Sequence, residues 1–237
     1  MKIYNAVIEL TRRCNMKCYH CLRGDAENLD MDIKHIDEFF SRVDSISELT
    51  LTGGEPSLVP EIIGLVLDSA IRNNVEIDRF YLVTNAKDIS EEFLKVLMRM
   101  YLMTSHNEYH SEYEMPMVQY SNDIYHSGID NEKDLQMLKA YRFVGARNQQ
   151  DDAEYNCIDQ GNASWNVPNC RVLDLETFDT DGDTVVEGIV YLNCEGWIIA
   201  GCDWSYDNQD DDDHECRVCP VAKLDINKIK NYKMQLV

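Results

Sequence analysis

Basic side chains are scarce in this 237-residue sequence: 22 lysines and arginines stand against 43 aspartates and glutamates, a formal net charge of −21. Proteins that grip phosphate backbones present a basic face, so the balance disfavours nucleic acid as a partner. It favours solubility and a cationic partner such as a basic peptide. Also missing is any apolar run of signal or membrane-spanning length, which predicts a soluble cytoplasmic protein with no membrane partner. No internal repeat is visible. The acidic extreme, DNQDDDDHE from Asp207 to Glu215, reads first as a solvated loop and second as a docking site for a basic segment.

Cysteine, by contrast, is plentiful. Nine would form a disulfide framework in a secreted domain, but in a reducing cytosol they point to metal binding or catalysis. Three crowd into TRRCNMKCYHCLRGD: Cys14, Cys18 and Cys21. Three thiolates are one short of a closed tetrahedral zinc site, and one short of a fully protein-ligated four-iron cluster. Zinc would have to recruit His20 or a distant cysteine. His20 lies between two loop cysteines and is expected to be poorly placed to turn inward with them. A [4Fe–4S] cluster held by three thiolates instead leaves one iron open to a non-protein ligand.

Around this loop the chain alternates β-rich and helical patterns. Lys2 to Leu10 reads as a strand, Asp32 to Val43 as a helix, and ISELTLTGGEP as a strand ending in a glycine turn. PEIIGLVLDSAIRN is a helix with Pro60 in its first turn, DRFYLVTNA a strand, and SEEFLKVLMRM a helix capped by Ser90. YLMTS is expected as a fourth strand, His106 to Asp130 as a polar loop, and EKDLQMLKAYRFVGA as a helix entering a short strand. Such alternation implies βαβ units, hence a parallel sheet or barrel with its site at the strands' C-terminal ends. After Gln149 the pattern becomes a hairpin or meander around TDGD, then EGWIIAGCD, the acidic loop and CRVCP. The expected boundary lies near residue 150, between a core of residues 1–150 and a C-terminal region of residues 151–237.

The C-x-x-x-C-x-x-C loop after the first strand, followed by GGEP (Gly53 to Pro56) after the second, resembles the radical S-adenosylmethionine (radical SAM) superfamily. The resemblance covers about the first 150 residues. It implies an α/β fold: a partial (β/α) TIM-type barrel, open on one side, with a small β-hairpin-containing C-terminal extension. It implies that Cys14, Cys18 and Cys21 ligate a [4Fe–4S] cluster whose fourth iron is chelated by S-adenosylmethionine. An electron from a flavodoxin- or ferredoxin-type reductant then gives methionine and a 5′-deoxyadenosyl radical that abstracts hydrogen from substrate. Gly53, Gly54 and Glu55 match the motif that contacts the methionyl amino group. His20 occupies the place of an aromatic residue near the adenine. Thr84 and Asn85, in TNA, match a strand end near the cofactor, and Ser105 and Asn107 stand where polar cofactor contacts often follow strand four. Arg12 and Arg13 either balance cluster charge, line the entrance or lie in solvent.

The tail, LNCEGWIIAGCDWSY to HECRVCP, resembles the abbreviated auxiliary-cluster modules called twitch or SPASM domains, with Gly196 ahead of Cys202. Cys194, Cys202, Cys216 and Cys219 are then candidates for a second [4Fe–4S] cluster or a zinc ion, with Cys170 an alternative fourth ligand; buried free thiols are the competing reading. Cys157 or Cys170, if not a ligand, could donate hydrogen to a substrate radical. Trp197 and Trp204 are expected to pack. The tail and the acidity favour a peptide- or protein-modifying enzyme. The alternatives are small-molecule or nucleotide chemistry, to which the absence of a leader-binding domain ahead of the first strand leans, and a degenerate domain that binds or regulates.

Overall fold

The computed structural model describes residues 1–104, 116–122, 125–126, 131–147, 157–175, 177–182 and 184–235. Strand and helix alternate as β1 (Lys2–Glu9), α1 (Ile33–Phe40), β2 (Ser45–Thr52), α2 (Pro60–Arg72), β3 (Glu76–Thr84), α3 (Glu91–Thr104), β4 (Val118–Ser121), α4 (Glu132–Lys139) and β5 (Val144–Arg147). Local chemistry marks the helix starts. The Asp32 carboxylate accepts from Lys34 N, Pro60 opens α2, and Ser90 Oγ accepts from Phe93 N at 3.1 Å.

Two sequence expectations need correction. Tyr101–Thr104, the heart of the expected fourth strand, is the last turn of α3. Phe93, Val96, Leu97, Met100 and Thr104 are buried at helical spacing, so one apolar stripe carries the helix through this stretch. The fourth strand is β4 instead, inside the segment expected to be a polar loop.

β1 to β5 pair in parallel, and β7 (Val185–Leu192) joins the other side of β1, also in parallel. β8 (Trp197–Ala200) and β9 (Arg217–Pro220) extend the sheet antiparallel, while the short β6 (Asp179–Asp181) pairs with β7. The order is β5-β4-β3-β2-β1-β7-β8-β9, so β1 is central, with Ile8 opposite both Leu51 and Leu192. β5 and β9 do not meet, which leaves a partial barrel. Strands that precede residue 148 and strands that follow residue 178 thus share one sheet.

One face of the sheet is sealed by helices. Ile36, Phe39, Phe40, Val66, Leu67, Phe93 and Leu97 pack on Ile3, Ile8, Ile46, Leu49, Leu51, Phe80 and Leu82. Each such side chain stabilises the fold by roughly 1.5–3 kcal/mol on burial. That packing leaves the opposite face, and the carboxyl ends of the strands, for polar groups. Among the described residues no helix is long and apolar enough to cross a membrane.

Candidate functional site

The cysteine loop springs from the carboxyl end of β1. Its backbone is pinned before and after the cysteines, by Arg12 N to Leu29 O at 2.8 Å and Glu27 N to Arg12 O at 3.0 Å. Cys14, Cys18 and Cys21 are half-buried and line one small cavity of about 50 Å³ with Gly53, Gly54 and Tyr206. The structure therefore brings the three together. Their sulfurs do not converge within 4.8 Å, the approach expected around a single ion. A four-iron cluster takes one thiolate at each of three corners and needs them apart, so the donor set fits the cluster. Burial pushes the Cys14 thiol above its ordinary value, so binding iron there would release a proton.

Gly53 and Gly54 form the opposite wall. Gly54 N donates to Thr11 O at 2.7 Å, and Glu55 N donates to Arg13 O at 2.8 Å. A Cβ on Gly53 would stand 2.3 Å from Thr11 O, and one on Gly54 would stand 2.3 Å from Arg13 O. Only glycine lets the two backbones approach so closely. Glu55 is buried behind the glycine turn, close enough for its charge to act on the Cys14 thiol. Its carboxylate accepts from Ser57 N at 2.9 Å, Thr84 Oγ1 at 2.7 Å and Asn85 N at 2.8 Å. Burial raises its pKa, and those donors work against the rise. Thr84 and Asn85 thus brace Glu55, and Asn85 Nδ2 donates to Asn15 Oδ1 at 2.8 Å within the cysteine loop. Ser105 and Asn107 lie outside the described residues.

His20 stacks on Tyr125 with centroids 4.0 Å apart. Contrary to expectation it does turn inward: one of its ring nitrogens, one of His126 and Cys18 Sγ all lie within 4.8 Å of one another. The neighbouring ring of Tyr125 explains the difference, because it gives the imidazole an apolar partner inside the cavity mouth.

Two arginines tether the loop to the C-terminal region; the expected solvent place for Arg12 is corrected by its carboxylate partners, and the sequence offered no reading of Arg23. Arg12 is completely buried; it meets Glu9 at 3.2 Å, Glu27 at 2.9 Å and both oxygens of Asp210 at 2.7 and 2.8 Å, beside the Tyr206 ring. Burial opposes its charge, and the carboxylates more than offset that, raising its pKa. Arg23 donates to the carbonyls of Cys202 and Trp204 and stacks on Tyr191. Arg13 pairs with Asp30 near the surface. Asp210, inside the acidic run, is therefore a structural anchor, while Asp211, Asp212 and Asp213 are exposed.

Beside the cysteine loop opens a larger cavity of about 670 Å³. It runs from His20, Cys21, Gly53 and Gly54 along the inner face of the sheet, past Glu48 and Tyr81, to Arg147 on the edge strand. Burial raises the Tyr81 pKa, and its hydroxyl donates to Gln119 Oε1 at 2.7 Å. Cys157 and Cys202 line this cavity; Cys170 does not.

The C-terminal cysteines are not brought together. Cys194 and Cys219 pack in the core on the helix-bearing face of the sheet, whereas Cys202 and Cys216 belong to the apolar cluster on the other face with Tyr191 and Trp204. Cys194 Sγ donates to Glu9 O at 3.3 Å. Burial pushes the Cys216 thiol up to about 12 and Cys219 to about 11. Both tryptophans pack: Trp204 Nε1 donates to Ala200 O at 2.8 Å, and Trp197 lies under Arg217.

Two solved structures share the fold over all of this chain. They are native anSMEcpe with bound AdoMet and Kp18Cys peptide (TM-score 0.59, 12% identity, 83% of that chain) and the same protein with Cp18Cys peptide (TM-score 0.60, 11% identity, 82% of that chain). In sequence, the chain is 28% identical over 98 residues to an uncharacterized protein, MJ0907, of Methanocaldococcus jannaschii. That match spans 40% of this chain and 34% of the relative. The Radical SAM superfamily profile matches residues 8–154, which takes in the end of β1, the cysteine loop, the glycine wall and β2 to β5. The chain belongs to the radical SAM superfamily, which implies a [4Fe–4S] cluster and S-adenosylmethionine as its cofactors.

Proposed function

We propose that Cys14, Cys18 and Cys21 hold a single [4Fe–4S] cluster, that S-adenosylmethionine binds against Gly53, Gly54 and His20, and that the substrate is a peptide or protein. The observation that carries this reading is the continuity of the 670 Å³ cavity with the cysteine loop and the glycine wall. With both cofactors bound, the site is supplied with a 5′-deoxyadenosyl radical for hydrogen abstraction.

This chain's own residues do the rest. The Gly53–Gly54 backbone leaves room for a ligand where any side chain would close it. Thr84 and Asn85 hold Glu55, and through it the glycine turn, at a fixed distance from the cysteine loop. His20 and Tyr125 cover the cavity mouth and exclude water. The open flank between β5 and β9 admits an extended chain, and the net charge of −21 suits a basic one. The solved relatives carry a peptide alongside AdoMet on the same fold, which supports the same substrate class here. The division near residue 150 then becomes functional: the first part holds the cofactors, and the second supplies the anchors Asp210 and Cys202 O and part of the cavity wall. A flavodoxin- or ferredoxin-type protein is the proposed electron source.

Anaerobic reconstitution tests the proposal. About four irons per chain are expected, falling to none when Cys14, Cys18 and Cys21 are all alanine. About eight falling to four would instead establish a second cluster among the C-terminal cysteines. The loaded protein should release 5′-deoxyadenosine and change the mass of basic peptides. Turnover of nucleotides with no peptide modified would overturn the substrate reading.

A further inference from the structure

Ile158 and Arg171 form an isolated parallel bridge, with Arg171 N donating to Cys157 O at 2.8 Å and Asp159 N donating to Arg171 O at 2.9 Å. That register sets the preceding residues, Cys157 and Cys170, side by side with their side chains on the same face of the bridge. They share one apolar cluster with Ala163 and Val167. Neighbouring strands lie about 4.8 Å apart, inside the roughly 4.4–6.8 Å Cα separation that a disulfide spans. Neither cysteine is disulfide-bonded in this structure.

The two thiols open on different spaces. Cys157 is 8% exposed, lines the large cavity with Cys21 and Gly53, and has its Sγ 3.6 Å from the Tyr125 hydroxyl. Cys170 is half-buried and lines a separate, solvent-open groove of about 540 Å³ with Asp159 and Trp165, whose indole is 89% exposed. Burial, then the neighbouring Cys157, pushes the Cys170 thiol up, which keeps it protonated until the pH rises. The pair therefore spans the wall between the large cavity and the outer groove.

We propose that Cys157 and Cys170 are a redox-active dithiol, closing reversibly to a disulfide and exchanging electrons with small thiols or disulfides through the outer groove. With oxidised glutathione, the Cys170 thiolate attacks the reagent and releases one glutathione thiol. Cys157 then attacks Cys170 Sγ and releases the second. One S–S bond breaks and one forms, two thiols are oxidised, and their two protons leave on the two glutathione molecules. In the dithiol state the cavity wall carries an S–H bond at Cys157; in the disulfide state it carries none. The dithiol depends on the proposed function only for the role of the cavity it faces.

The test uses the reconstituted 237-residue chain, so that Cys14, Cys18 and Cys21 are occupied, treated anaerobically with excess oxidised glutathione, alkylated, digested and weighed. A single cross-linked peptide pair containing Cys157 and Cys170 is expected, lost on treatment with dithiothreitol and forming faster at higher pH. Cys157→Ser should leave glutathione attached to Cys170. Cys170→Ser should slow glutathionylation of the pair several-fold, because Cys157, 8% exposed, is then reached only through the large cavity. Both cysteines recovered alkylated in the wild type, or cross-links shared indiscriminately with other cysteines, would overturn the proposal. The readout needs no cofactor cleavage, so an inactive enzyme that still forms this link separates failure of the proposed function from failure of the dithiol.

Discussion

At the scale of residues, two glycines make opposite predictions. A Cβ on Gly54 would collide with backbone on the far side of the site, whereas Gly64 in α2 has nothing within 4 Å of its absent Cβ. Gly54→Ala should therefore cost about 1–3 kcal/mol in urea unfolding, and Gly64→Ala should gain up to about 1 kcal/mol as a plain helix-propensity effect. Glu55 gives a pH signature. Its folded pKa is raised by burial, so the folded state holds its proton more tightly than the unfolded state. Its contribution to stability is greatest below the ordinary glutamate value and declines as pH rises through the folded one. Unfolding at a series of pH values should show the wild type losing stability relative to Glu55→Gln across that window; parallel curves would contradict it. The glycine pair was legible because the GGEP spacing after a strand is local. The bracing of the Glu55 carboxylate was not, because two of its three donors, Thr84 and Asn85, arrive from the end of β3, about thirty residues later.

Elements show the same division. The elements β1, α1, β2, α2, β3 and the body of α3 follow from apolar spacing, the caps at Asp32 and Ser90 and Pro60 in the first turn of α2. The expected fourth strand failed because Tyr101–Thr104 is apolar enough for either structure, and only burial against the sheet decides that the helix continues. The cysteine-loop anchor was equally unreadable, since Arg12 and Asp210 stand 198 residues apart. Asp210→Ala removes two charged hydrogen bonds from a buried guanidinium and should cost about 1.5–3 kcal/mol. It should also slow cluster assembly while leaving Cys14, Cys18 and Cys21 in place, as read from iron content against time. The C-terminal strands predict a pattern of thiol reactivity. Cys194, Cys216 and Cys219 are buried, the last two with pKa near 12 and 11, so they should resist iodoacetamide at pH 8 in native protein and react in urea. Rapid labelling of Cys216 or Cys219 in the folded state would contradict this packing.

For the whole molecule, composition spoke clearly about charge. With a basic peptide as the proposed substrate, a net charge of −21 predicts binding that weakens several-fold between low and physiological ionic strength, by titration calorimetry. What composition could not reveal is how the chain closes on itself. β1 lies between β2 and β7, and the two arginines that fix the cysteine loop are satisfied by residues 202–210. Synthesis runs towards the C-terminus, so Cys14, Cys18 and Cys21 emerge long before residues 202–210. Until those residues arrive, Arg12 has only Glu9 and Glu27 as charged partners, and Arg23 lacks the carbonyls of Cys202 and Trp204. A pause in synthesis between the two segments would therefore leave the loop half-tethered, with its three thiols less sheltered than in the finished fold.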